Sequence, residues 1–218
     1  LGGHSLKATI MMSRIHKELE VKVELMEIFR TPTIRDIARL IRGLKKEAFQ
    51  DIEPVEKKEY YPLSSAQKRL YFLQQLDFNS TGYNIPMVLP LGQGITKDIL
   101  ESILKQLIAR HESLRTSFER VNEEVVQRIH KAGSVEFSLD YYEAEKAGLE
   151  EIMKNYIKPF DLSRAPLIRS GLIKFPDGYH AWMVDMHHII SDGTSHTILT
   201  EDFMAEYSGK ELKPLHIQ

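Results

Sequence analysis

A chain of 218 residues with 42% hydrophobic and 28% charged side chains is long enough for one large domain or two smaller ones. A formal charge of −2 gives no global attraction to nucleic acid or to an anionic membrane, and no apolar run is long enough to span a bilayer. The absence of cysteine excludes disulfides and thiolate metal sites and is in keeping with a reducing, cytoplasmic setting.

The first elements read as helical. After Gly2 and Gly3, Ser5 stands where a helix N-cap belongs, and Leu6, Ile10, Met11, Ile15 and Leu19 recur at helical spacing. A short "VKVELMEIF" segment follows. Thr33 then caps a further helix, with Asp36 three residues on and Gly43 as its stop. Ile34, Ile37, Ala38 and Ile41 form its apolar face, and Arg35, Arg39 and Arg42 a solvated one. Residues 1–43 thus predict part of a small all-α bundle that lacks a helix at its front. Residues 44–61 are charged, contain Pro54 and lose the apolar period, which predicts a linker.

From Pro62 the pattern is mixed. "SSAQKRLYFLQQL" has helical spacing through Ala66, Leu70, Leu73 and Leu76, and "YNIPMVLPL" is a Pro-punctuated strand suited to an edge or bend. A strong amphipathic helix follows Thr96, with Ile99, Ile103, Leu104 and Leu107 inward. "RTSFERVNEEVVQRIH" reads as two strands around Asn122, and "EFSLDYY" alternates. A helical "AEKAGLEEIMKNYIKPF" precedes two strands joined at "PDG", and "SHTILTEDFMAEYSG" closes with a helix. Helices and hairpins interleave, so the class is α/β or α+β.

Two stretches can carry chemistry. In "MHHIISDG", His187 and His188 end a strand, where neighbouring side chains point to opposite faces. They therefore do not share a metal; one can face a cleft and the other the core. Ser191, Asp192 and Gly193 then turn the chain. His196, three residues past Gly193, reads as a surface helix histidine, and Trp182 and Met183 as core. The other stretch is "LGGHSL". Ser5 has no base beside it except His4, so it is a poor activated nucleophile. At a helix N-terminus, however, orphan N–H groups and the dipole favour an anionic group.

The composite HHxxxDG resembles the signature of the condensation-domain superfamily of nonribosomal peptide synthetases. "SSAQKRLYFLQQL" is similar to that family's first motif, with Tyr71 where tryptophan is usual, "YNIP" recurs there, and "RHESLRTSF" resembles the second motif. "LGGHSL" resembles the carrier-protein motif LGGxSL. The resemblance implies an α+β, chloramphenicol acetyltransferase-like lobe over 62–218, preceded by a partial peptidyl carrier domain with 4′-phosphopantetheine on Ser5.

The implied reaction is amide formation between two carrier-bound thioesters, with His188 as base or amine-holding group, His187 structural, and Asp192 paired with an arginine. Arg115 is the first choice for that partner, ahead of Arg69 and Arg110. Gly193 lets the backbone approach closely, and its N–H is a candidate donor to a developing oxyanion. "MHHIISDG" resembles the type that takes an L-configured donor. Implied partners are adenylation domains, upstream and downstream carriers, a phosphopantetheinyl transferase and aminoacyl or peptidyl thioesters. Nucleic acid, membrane and metal are not among them. An epimerization-type relative and a non-catalytic carrier or docking fragment are the alternatives. The 218 residues, ending inside the first half of such a domain, are expected to be inactive alone.

Overall fold

Local capping sets the helix boundaries in a computed structural model of the protein, which describes residues 5–50 and 52–218 and, of Ser5 and Leu6, only the backbone. Helix α1 (Ser5–Leu19) includes Ser5, and the expected cap at its start involves side chains outside the described residues. Helices α2 (Leu25–Arg30) and α3 (Ile34–Gly43) follow, and the Thr33 hydroxyl oxygen accepts the Asp36 N–H at the start of α3.

The inward stripe of α1 is Ala8, Met11, Met12 and Ile15, packed with Val21, Val23, Ile28, Leu40 and Ile41. Ile10 and Leu19 are half exposed and Ile34 is almost fully so, against expectation. The small Ala8 holds the inward position, and that turns the bulkier Ile10 outward. Residues 46–49 lie back on α1. The Glu47 N–H donates to the Glu20 carbonyl at 2.7 Å, and the Phe49 ring meets His16 edge-on at 5.1 Å. This first compact unit ends at Glu53, and a second runs from Pro54 to Gln218.

The second unit holds two sheets and four helices. Strand β1 (Tyr61–Pro62) precedes helix α4 (Ser65–Leu76), which opens on a reciprocal capping box between Ser64 and Gln67. Strand β2 (Asn84–Leu91) leads to helix α5 (Lys97–Arg110). A 3₁₀ turn over Glu112–Arg115 introduces a hairpin of β3 (Thr116–Val121) and β4 (Glu124–Ile129). Its two-residue turn, Asn122 and Glu123, has positive φ at both positions, the form that matches strand twist. Strand β5 (Asp140–Glu143), helix α6 (Leu149–Tyr156), strands β6 (Ile168–Lys174) and β7 (His180–His187), and helix α7 (Gly193–Tyr207) complete it.

The small sheet has the order β1-β4-β3; the larger, β2-β7-β6-β5, is antiparallel except for the parallel β5–β6 pair. The class is therefore α+β with a mixed sheet. Pro86 and Pro90 are tolerated because β2 is an edge strand. Helix α5 buries Leu100, Ile103, Leu104, Leu107 and Ile108, while Ile99 faces out. In α4 the buried residues are Leu70 and, unexpectedly, Gln74, whereas Leu76 is exposed. Trp182 is core: it stacks on Phe203 at 4.5 Å and donates its indole N–H to Ser170 Oγ at 2.7 Å. No helix among the described residues is long and apolar enough to cross a membrane.

Candidate active site

The two histidines part at the end of β7. His187 is its last residue and is 1% exposed. The Ile189 N–H donates to its Nδ1 at 3.1 Å, so the neutral ring carries its proton on Nε2, which faces Gln74 Oε1 at 3.4 Å. Gln74 in turn donates to the carbonyls of Asp77, Phe78 and Ser80. Phe160 meets the His187 ring edge-on at 6.1 Å. His187 is thus a structural strut between α4 and the strand end. Sequence reasoning does not single out Gln74; the only available signal is its place in the motif after Ser64.

Burial pushes His187 down to about 4, from an ordinary 6.5, with the nearby His188 adding to the effect. The folded chain therefore resists a proton that the unfolded chain accepts. The His187 contribution is complete above pH 6.5 and falls away as the pH drops toward 4, by on the order of 3 kcal/mol in full. In His187→Asn, which retains an acceptor for the Ile189 N–H, urea midpoints are expected to lose this slope while falling overall. An unchanged slope would place the acid-sensitive group elsewhere.

His188 is the opposite case. It begins the turn after β7 and its ring is exposed. Its N–H donates to the Tyr83 carbonyl at 2.8 Å, which ties the turn to the "YNIP" segment. Its Nδ1 lies 2.8 Å from the Ser191 carbonyl oxygen. A carbonyl can only accept, so Nδ1 carries a proton, and in the neutral ring the lone pair sits on Nε2.

Asp192 is the N-cap of α7. Its Oδ1 accepts from both the N–H and the hydroxyl of Ser195, each at 2.8 Å, and these bonds hold its carboxyl below the ordinary 3.8. The expected arginine partner is a correction. Among the described residues no arginine is bonded to Asp192, because Arg115 is engaged by the His130 carbonyl and by Glu112 Oε1. Arg110 is likewise committed, to Asp202 Oδ2 at 2.8 Å and the Lys213 carbonyl, and Arg69 is an exposed residue of α4. His111 also reaches Asp202 Oδ2 at 2.8 Å. The "RHE" stretch therefore braces α7 by way of Asp202, ten residues beyond the cap.

Gly193 opens α7, and nothing stands within 4 Å of where a Cβ would project. Its N–H is among the orphan donors of the helix start. The structure thus brings His188, Asp192 and Gly193 to one strand-to-helix turn, while Arg115 bonds the His130 carbonyl and Glu112 instead. Ser5 belongs to the first unit and its side chain lies outside the described residues.

Comparison with known proteins follows the same division. The family described as "Condensation domain" matches residues 57–218, and "Phosphopantetheine attachment site" matches 1–41. Over all 218 residues the chain is 46% identical to bacitracin synthase 3 of Bacillus licheniformis, covering 3% of that protein. It is 44% identical to gramicidin S synthase 2 of Brevibacillus brevis, covering 5%. The chain thus spans less than a tenth of these relatives' length. Among solved structures, the X-domain from teicoplanin biosynthesis superposes with a TM-score of 0.67 at 28% identity, over 78% of this chain and 38% of that one. The starter condensation domain of the rhizomide synthetase RzmA gives 0.62 at 25%, over 72% and 40%.

Proposed function

Because the chain belongs to the condensation-domain family and carries a phosphopantetheine attachment site ahead of that domain, we propose that it is a segment of a modular peptide synthetase that forms an amide between two carrier-bound acyl groups. Residues 1–43 are the carrier part, 44–61 the connection and 62–218 one condensation lobe. The family matches and the boundary of compact units at Glu53 and Pro54 support that division. The donor is L-configured, a reading that rests on the "MHHIISDG" likeness alone. Adenylation domains, further carriers and a phosphopantetheinyl transferase are the partners, in line with relatives that are antibiotic synthases.

The observation that carries the catalytic reading is the exposed His188 ring with its Nδ1 held at 2.8 Å from a carbonyl. An α-amine titrates near pH 7.7, so a fraction is protonated and unreactive at neutral pH. The Nε2 lone pair of His188 accepts the proton that the attacking amine sheds as the new C–N bond forms, and that proton passes to the departing sulfur as the thioester C–S bond breaks and the thiol leaves. His187 stays neutral and holds the strand end, and Asp192 holds the turn by capping α7. The orphan N–H at Gly193 is available to the carbonyl oxygen as charge develops there. The decisive substitution, His188→Ala, is argued in the Discussion.

Ser5 is the attachment point. The first turn of α1 carries no acidic side chain, so helix N–H groups and dipole meet a phosphodiester unopposed. When bound, the group supplies a flexible thiol-ended arm on which an acyl chain rides as a thioester. Incubation of this chain with a phosphopantetheinyl transferase and coenzyme A is expected to add one phosphopantetheine by intact mass, and none to Ser5→Ala. Modification that persists in the alanine variant, or no gain on a helical wild-type chain, would remove Ser5 from this role.

A further inference from the structure

Ser191 is 6% exposed and lies in the turn between β7 and α7. It is gripped by two histidines. Its carbonyl accepts the His188 Nδ1–H at 2.8 Å, and its Oγ lies 3.4 Å from Nε2 of His196. His196 is half-buried at the start of α7, where its own N–H donates to the Asp192 carbonyl at 3.0 Å. Further along, Arg110 and His111 both seize Asp202, so α7 is anchored against α5. The Ser191–His196 contact therefore fastens the His188 end of the turn to a braced helix, alongside the Asp192 cap that holds its other end.

We infer that His196 is a positioning residue for His188: by tying the Ser191 side chain to α7 it fixes the carbonyl that keeps the His188 lone pair on Nε2. The inference rests on the role proposed above for His188 and deepens it. Two features support it beyond the distances. The ring nitrogens of His188 make one bond, to this carbonyl, so nothing else within the lobe selects the tautomer. His196 is also held down by burial, partly offset by Asp192 and reinforced by His188, so the two rings are close enough to sense one another's charge.

The test reads the tautomer rather than turnover. In ¹⁵N spectra of the 218-residue chain at mildly alkaline pH, wild-type His188 is expected as the Nδ1–H form. His196→Ala and Ser191→Ala should each give a mixture of both tautomers, with β7 and α7 backbone signals retained. His196→Gln sets an amide near the position of Nε2 and should restore the wild-type pattern. An Nδ1–H form unmoved in both alanine variants would overturn the inference. In the complete synthetase, His196→Ala should lower kcat for amide formation about tenfold, the worth of one net hydrogen bond, with KM unchanged. A shifted tautomer with an unchanged rate would uphold the coupling and count against His188 as the base. A rate lost in His188→Ala with an unmoved tautomer would do the reverse.

Discussion

Replacing His188 with alanine in a complete synthetase is expected to slow amide formation by about 10²- to 10⁴-fold, the usual worth of a positioned proton acceptor. The protein should remain folded. The ring is exposed, and the substitution gives up one side-chain bond, to the Ser191 carbonyl, worth about 1 kcal/mol. Two further variants separate its duties. His188→Asn places an amide N–H where Nδ1–H stood, so it keeps the turn but has no basic nitrogen at the Nε2 position. It should be as slow as alanine and more stable. His188→Gln puts an amide near the Nε2 position, able to hold the amine but unable to take its proton. The readout is single-turnover amide formation between preloaded carriers, beside thermal midpoints. Near-normal turnover in the alanine variant would remove His188 from the chemistry. Near-normal turnover in the glutamine variant alone would make it a holding group.

The largest stability effect is expected at Arg169, in the strand beside β7. Asp185, two residues before His187, is fully buried, and its Oδ2 receives Asn84 Nδ2 at 2.7 Å and faces Arg169 Nη1 at 3.4 Å. The same guanidinium donates to the Lys158 and Pro159 carbonyls and lies 3.8 Å above the centre of the Phe160 ring, which in turn packs on His187. Arg169→Met keeps apolar bulk but leaves a buried carboxylate without its cation, a loss of about 3–5 kcal/mol.

Burial already pushes Asp185 above the ordinary 3.8, with Asn84 and Arg169 opposing. An acid raised in this way contributes most below its unfolded value and loses that contribution as the pH rises through the folded one. Removing the cation raises it further, so the deficit of Arg169→Met should be greater at neutral pH than near pH 4. Adding Asp185→Asn to Arg169→Met should return much of the loss, since the unpaired charge is gone. Urea unfolding of wild type, single and double variants measures all three. A deficit below 1 kcal/mol, or one that grows as the pH falls, would show that the ion pair does not hold this end of β7.

Features with short-range causes are legible in the sequence. Thr33 and Thr96 cap helices with their own side chains, the turn at Asn122 falls between β3 and β4, and "PDG" joins β6 to β7. Each depends on groups within a few residues, so residue type and spacing suffice. The order of the motifs likewise places the histidines at a strand end, and alternation predicts that one faces inward and one outward. Asp192 shows the limit of such reading. Its capping bond to Ser195 is as local as the others, yet the resemblance points to an arginine partner and away from that bond.

What only the tertiary structure decides are the partners brought together by strand register and helix packing. Gln74 reaches His187 across 113 positions, and Arg110 reaches Asp202 across 92. Asn84 meets Asp185 across 101. A polar side chain has several possible partners of equal chemistry along the chain. The one it finds is set by which backbone segments the apolar core draws into contact, and that choice is made by the whole sheet and its helices rather than by neighbours in sequence.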